Sequence, residues 1–320
     1  MTETAERATS ARGGDGRAPT MGAFAYFEGA LVPFADARIS VATHTFNYGT
    51  GIFEGIRAYL QDDGGVAILF AREHYERFLR NTRLLRMEIR ESAEELVEIT
   101  RQLLRRNGDL TDIYVRPVAY KASTSLRLGL TGMPDRVTIY SFPMGDYVPT
   151  TGLRATVSAW QRVNDNAVPA RGKVTGSYVN ASLAVEDAHA AGYGEAILLT
   201  GDGHLAEASS ANLFIVSGGE IATPPLSDDV LPGITREAVM RIAGDAGYRV
   251  VERRIDRTEL YLCDELFFTG TGVQVAPVEE VDGHPVGKGR DYPVTMDLQR
   301  IYFDAVRGRD PRHADWLTRV

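Results

Sequence analysis

Lysine is scarce in this chain, cysteine nearly absent and long apolar runs missing, and each shortage closes off a class of function. One cysteine, Cys263, in 320 residues cannot close an internal disulfide. No Cys/His group has metal-ligand spacing either, so a reducing, cytoplasmic setting fits and a structural metal site does not. Within ELYLCDELFF that cysteine is expected to be buried packing. No apolar stretch approaches the roughly 20 residues that a membrane-spanning helix needs. Positive charge is not in excess: 35 Lys and Arg stand against 43 Asp and Glu, a formal net charge of −8. The arginines are dispersed rather than massed, which argues against nucleic acid as a partner. Only Lys121, Lys173 and Lys288 are lysines among those 35 basic residues. In a chain that places arginine wherever a surface cation will do, a retained lysine raises the question of what arginine could not supply. A lysine amine can shed its proton in an apolar pocket, attack a carbonyl and form a Schiff base, which guanidinium does not do. Lys173, in VPARGKVTGSYVN just ahead of a helical stretch beginning near Tyr178, is the candidate; a solvated loop lysine is the plain alternative. Lys121 and Lys288 read as ordinary surface lysines.

With 44% apolar and 24% charged residues the chain can bury a sizeable core, and its length allows two domains. Residues 1–19 (MTETAERATSARGGDGRAP) are polar and lack the apolar core of a secretion signal, and read as a flexible tail. AFAYFEGALV suggests a hairpin turning at Glu28-Gly29, and REHYERFLRNTRLLRM a helix with Phe78 and Leu85 inward. Ser92 with Glu95 three residues on is a capping box opening a helix that closes at Asn107-Gly108. DIYVRPVAY and RVTIYSFP read as strands, and GDYVPTTG breaks the pattern. The expected division is therefore a smaller N-terminal α/β domain, 20–148, and a larger C-terminal domain, 149–320. The second half reads as strand, helix to Gly192, strand pair, NLFIV, helix to Gly247, two further strands and the helix PVTMDLQRIYFDAVRG. The sum is a mixed α/β (α+β) fold with much hairpin signal and no clean βαβ alternation.

Three features of that half carry chemistry together with Lys173. Glu207 in LAEASSANLFIV can aim a carboxylate at a protonated ring nitrogen. Gly233, Ile234 and Thr235 in LPGIT open a helix in the way a phosphate needs, and Thr271 between Gly270 and Gly272 can do likewise. Alone, each has a plain reading: an edge-strand acid, a strand-to-helix turn and a bend.

The run from Glu207 to Arg236, with EASSANLF, Thr223 and LPGITR in register, resembles the signature of class IV, fold-type IV pyridoxal-phosphate enzymes. FNYGTGIFEGIRAY (46–59), REHYERFLRN (72–81), IYVRP (113–117), LFFTGTGVQVAPV (266–278) and the Lys173 region resemble branched-chain amino acid aminotransferases, covering nearly all of residues 22–320. The resemblance implies two domains with the active site at their interface, pyridoxal 5′-phosphate as cofactor, amino acid and 2-oxo acid substrates, and a homodimer or homohexamer. Lys173 would bind the cofactor covalently and, once released by substrate, carry the proton. Glu207 would pair with the pyridine nitrogen and Tyr178 with the ring's phenolic oxygen. Arg77, Gly233, Ile234, Thr235 and Thr271 would hold the phosphate. Tyr48, Phe53, Gly55, Arg57, Tyr114, Arg116, Tyr147 and Gly272 would line the substrate pocket, Tyr48 from across a dimer interface. The implied reaction is amino transfer from Leu, Ile or Val to 2-oxoglutarate; D-amino acid transaminases, aminodeoxychorismate-type lyases and aminotransferases of specialised pathways share the fold. Two positions depart from the family pattern: Met144 stands where a tryptophan is familiar, and Gly272 where alanine is common. Both leave more room. Arg77 and His74, judged apart from the resemblance, would be a solvated arginine and a packed or solvated histidine.

Overall fold

The computed structural model describes residues 20–145, 152–288 and 291–320; the tail, the segment GDYVPTTG beyond Gly145 up to its last glycine, and residues 289–290 lie outside. The strands are β1 (Phe24–Phe27), β2 (Ala30–Pro33), β3 (Gly51–Phe53), β4 (Ile56–Leu60), β5 (Val66–Leu69), β6 (Ile113–Lys121), β7 (Asp135–Pro143), β8 (Leu153–Val157), β9 (Glu195–Leu199), β10 (Leu205–Ala208), β11 (Asn212–Ser217), β12 (Glu220–Thr223), β13 (Arg249–Glu252), β14 (Glu265–Gly270), β15 (Gln274–Val281), β16 (His284–Pro285) and β17 (Leu317–Arg319). The helices are α1 (His44–Tyr48), α2 (Ala71–Thr82), α3 (Ala93–Asn107), α4 (Tyr178–Ala190), α5 (Ile234–Asp245) and α6 (Pro293–Val306). By its contacts the chain divides into two compact units. Of the described residues, the first holds 20–145, 172–177 and 304–320, and the second 152–171, 178–288 and 291–303.

The first unit is built on an antiparallel sheet in the order β17-β5-β4-β6-β7-β1-β2, with β3 also on β6. The β1–β2 hairpin turns at Glu28 and Gly29, both with positive φ (50° and 104°), as the Glu-Gly pair suggests. Ser92 and Glu95 form the capping box, and Gly108 closes α3 in the left-handed conformation. α2 stops at Thr82, and Leu85 lies in a short 3-10 turn, only half-buried, whereas Phe78 is fully buried. The helix therefore ends earlier than its apolar spacing suggests.

β6 changes partner along its length: Ile113, Tyr114 and Val115 pair with β4, while Val118, Ala119 and Tyr120 pair with β3. Pro117 sits at the change, where a residue without an N–H costs no ladder bond on that side. Opposite the gap, Glu54 and Gly55 leave the strand, and the Glu54 N–H donates to the Pro117 carbonyl at 3.0 Å.

The second unit has its own sheet, in the order β10-β9-β8-β15-β14-β11-β12-β13 with β16 on β15. Three of its pairings, β8–β9, β8–β15 and β12–β13, are parallel and the others antiparallel, a mixed sheet. Its inward faces meet in a core of Leu153, Ile197, Leu213, Ile215, Leu266, Phe268, Val278 and their neighbours. Cys263 belongs to that core, where burial pushes its thiol up to about 12. Among the described residues, no helix is long and apolar enough to cross a membrane.

Lys121 corrects the sequence reading: it is 1% exposed, not a surface lysine. At the end of β6 its amine lies 2.9 Å from Asp135 Oδ1 and donates to the Arg86 carbonyl at 2.9 Å. Asp135 also accepts from the Glu88 N–H at 2.9 Å. The pair ties the turn after α2 to the sheet. Lys288 is exposed, as expected.

Candidate active site

In the first unit, residues 172–177 are stitched to the strand before the β6 break. The Phe53 N–H donates to the Lys173 carbonyl at 3.0 Å, Ile52 bridges Val174, and the Gly176 N–H donates to the Gly49 carbonyl at 3.1 Å. The Thr175 hydroxyl donates to the Gly49 carbonyl at 2.6 Å and accepts from the Gly51 N–H at 3.1 Å. The close approach requires glycine: a Cβ on Gly49 (φ 65°) would lie 2.6 Å from Gly176 Cα. So the backbone of Lys173, far along the sequence, is fixed to β3.

The side chains follow. Lys173 Nζ lies 5.6 Å from the centre of the Phe53 ring, and the Arg116 guanidinium 4.5 Å from it. Arg116 donates to the Tyr114 hydroxyl at 3.0 Å, so the alternation in IYVRP does place both on one face. Arg57 pairs in register with Tyr114, and cross-strand partners share a face. Arg57 is 1% exposed, donates to the Gly145 carbonyl at 3.0 Å and lies 4.0 Å from Asp112. Its Nε and other terminal nitrogen have no hydrogen-bond partner among the described residues. Gly55 is dictated by Tyr114, whose hydroxyl would stand 2.0 Å from any Cβ there. Tyr48 ends α1, 40% exposed, with its hydroxyl donating to the Leu126 carbonyl. Tyr147 lies outside the described residues. Met144 is half-buried, its N–H donating to the Asp112 carbonyl at 2.9 Å.

Arg77 is not solvated. It is 3% exposed, and its Nε and one terminal nitrogen each donate at 2.7 Å to the two oxygens of Glu54, a fork-to-fork pair. His74, one helical turn earlier and also buried, places Nδ1 2.9 Å from the same carboxylate. Burial alone would raise Glu54; the Arg77 charge and the bonds from both residues outweigh it and hold the carboxyl well below its usual range. Desolvation lowers His74, with Glu54 opposing it and the Arg77 and Lys173 charges adding to it. Glu54 is thus ionised, and His74 is a neutral donor.

In the second unit, Glu207 lies on β10 beside an irregularity in its pairing with β9, and is 6% exposed. One oxygen is 2.8 Å from Arg162; the other accepts from Asn212 at 3.1 Å and from the Leu231 N–H at 3.0 Å. Asn212 also donates to the Leu231 carbonyl, and its carbonyl oxygen would lie 2.0 Å from a Cβ on Gly233. Asn212 therefore couples the carboxylate to the turn that opens α5. That helix starts at Ile234, as LPGIT suggests; Gly233 brings no side chain to cap it, and Thr235 is buried. Thr271 and Gly272 lie in the tight loop joining β14 to β15, closed by Gln274 at φ 60°. Tyr178 begins α4, half-buried.

Four residues are supporting members that sequence reasoning missed or left without a role: Glu54, His74, Arg162 and Asn212. The helical spacing of His74 and Arg77 was a signal for the first pair. Arg162 had none, being one arginine among many dispersed along the chain.

The first unit by itself offers an amine and fixed cations beside aromatic rings, and the second by itself a fixed carboxylate and a helix start suited to an anion. The profile of the amino-transferase class IV family matches residues 51–281. A probable branched-chain-amino-acid aminotransferase of Aquifex aeolicus is 47% identical over 300 residues, 93% of this chain and 96% of the relative. The branched-chain-amino-acid aminotransferase of Pseudomonas aeruginosa is 38% identical over 92% of this chain and 96% of its own. Among solved structures, the branched-chain aminotransferase of Thermoproteus uzoniensis with norvaline superimposes with a TM-score of 0.90 at 39% identity, covering 92% of this chain and 98% of that one. The branched-chain amino acid aminotransferase of Escherichia coli gives 0.88 at 35% identity, covering 92% and 98%. The chain is a member of the class IV aminotransferase family.

Proposed function

We propose that the protein is a pyridoxal 5′-phosphate-dependent aminotransferase that moves the amino group of a branched-chain L-amino acid to 2-oxoglutarate, reversibly. The observation that carries the reading is the setting of Lys173: its amine and the Arg116 guanidinium both lie over the Phe53 ring, with Tyr114 bonded to Arg116. Such a surface serves both substrates. Phe53 and Tyr114 suit an aliphatic side chain, and Arg116 suits the γ-carboxylate of glutamate.

The residues fit the cofactor by their donor chemistry. A doubly charged phosphate calls for N–H donors, hydroxyls and a cation, as Ile234 and Thr235 at the start of α5, Thr271 and Arg77 supply. A protonated ring nitrogen calls for an ionised acceptor held in one direction, and Glu207 has both oxygens occupied by fixed donors. Gly233 keeps clear the space that a Cβ would contest with Asn212. When bound, the cofactor supplies an electron sink that makes the substrate Cα–H acidic. Lys173 Nζ first anchors the cofactor and then carries the proton from Cα. Tyr178 would donate to the ring's phenolic oxygen, and Glu207 would keep the ring nitrogen protonated.

We further assign a homo-oligomer in which Tyr48 serves a neighbouring copy. Ile39, Val41, Phe46, Leu126 and Leu128 are exposed apolar side chains on the α1 side of the first unit, 48–78% accessible, and Tyr48 is bonded to Leu126 among them. Continuous assay of L-leucine with 2-oxoglutarate, reading glutamate, tests the activity, with L-methionine and L-phenylalanine run alongside for the room left by Met144 and Gly272. Leucine, isoleucine or valine giving the highest kcat/KM supports the reading. No glutamate from any of the L-amino acids, with activity appearing only when D-amino acids are supplied in their place, overturns it.

A further inference from the structure

The phosphate arginine assigned above does not stand by itself. Arg77 reaches its place through Glu54, and Glu54 follows directly after Phe53, whose N–H holds the Lys173 carbonyl. One short stretch, β3 and its next residue, therefore grips both the backbone of the reactive lysine and the guanidinium. Glu54 is fully buried, and a carboxylate placed there must do something that outweighs its desolvation. With both of its oxygens on Arg77 and one also on His74, its fork sets the plane and direction of the guanidinium. With Nδ1 facing Glu54, His74 fills remaining acceptor capacity of the carboxylate from the same helix face as Arg77.

Resting on the reading of Arg77 as a phosphate ligand, we propose that Glu54 and His74 are positioning residues for cofactor capture, aiming Arg77 at the phosphate relative to the strand that holds Lys173. The alternative role is electrostatic. A carboxylate beside the guanidinium also weakens its pull on an anion, and acting in that way alone Glu54 would hinder phosphate binding. The two roles predict opposite signs.

The test compares pyridoxal 5′-phosphate with pyridoxal, which lacks the phosphate. Cofactor-free wild type, Glu54→Gln and His74→Gln are titrated with each, and binding is read from absorbance, with thermal unfolding of the cofactor-free proteins recorded in parallel. Positioning predicts that Glu54→Gln weakens pyridoxal 5′-phosphate about 10- to 100-fold, the cost of a misaligned charge-assisted bond, while pyridoxal is unchanged. His74→Gln, which retains an N–H donor, should recover most of the phosphate preference, and His74→Phe should lose part of it. Because the His74 variants leave the Glu54–Arg77 pair in place, they answer even if Glu54→Gln fails to fold. Tighter phosphate-compound binding in Glu54→Gln, equal loss for both compounds, or no change in any variant overturns the proposal. A wild type that shows no preference for the phosphate compound removes instead the assignment of Arg77 on which it stands.

Discussion

The two units each bury a carboxylate in the grip of an arginine, and they use the pair in opposite senses. In the first, Glu54 holds Arg77, and on the function proposed above the cation would be the working group; in the second, Arg162 holds Glu207, and the anion would be. The surroundings match these jobs. Arg77 is clamped through two nitrogens by a single carboxylate. Glu207 instead gathers donors from Arg162, Asn212 and the Leu231 backbone, all of which favour its ionised form. A buried ion pair is weak evidence for stability. What these two have in common is direction, since each presents one partner in a fixed orientation. A third pair, Lys121–Asp135, has the same chemistry with no working group, and serves as the structural control.

The largest expected effect on stability falls on that control. Lys121→Ala leaves Asp135 buried without its cation and should cost about 3–5 kcal/mol of stability in thermal or denaturant unfolding. The turnover of whatever remains folded should be unchanged. Next, Glu207→Gln should lower kcat about 100-fold while the affinity for pyridoxal 5′-phosphate changes little, because its carboxylate acts on the ring rather than on the phosphate. A variant that keeps kcat but loses the cofactor would reverse the assignment of the two pairs. Arg162→Met removes one charged donor from Glu207, and a fall in kcat of about 10-fold is expected.

The smallest effect is a pH dependence at His74. Its pKa in the folded protein lies below the ordinary 6.5, so the unfolded chain takes up the proton first as pH falls. The stability tied to neutral His74 is complete above 6.5 and is lost as pH drops from there toward the folded value. Melting temperatures followed from about pH 7.5 to 5.5 should fall more steeply for wild type than for His74→Gln. Parallel slopes would mean that His74 is already charged in its bond to Glu54.

Local chemistry was legible in the sequence. The Ser92–Glu95 box, the Glu28-Gly29 turn and the LPGIT helix start are set by neighbouring residues, and the structure has each of them. What depends on distant partners was not. β3 and β4 lie in FNYGTGIFEGIRAY, whose break at Glu54-Gly55 makes sense only against Pro117 and Tyr114 of β6. Residues 172–177 belong with the first unit through hydrogen bonds to residues 49–53, a pairing that no local pattern announces. Lys121 read as a surface cation because nothing near the end of its strand shows that Arg86 and Asp135 close over it. Of the three lysines only Lys288 is exposed, so scarcity singled out residues in specific environments without distinguishing Lys121, a buried ion-pair partner, from Lys173.

The central claim is that Lys173 is the amine through which an amino group passes. It is tested by recording the visible spectrum of the cofactor-loaded protein on addition of L-leucine and then of 2-oxoglutarate, beside a cofactor-soaked Lys173→Ala variant. The account predicts a band that leucine removes and 2-oxoglutarate restores in the wild type, with neither response on the same timescale in the variant, where turnover falls by about 10⁴-fold. A wild-type band untouched by leucine, or a variant that cycles at the wild-type rate, would contradict it.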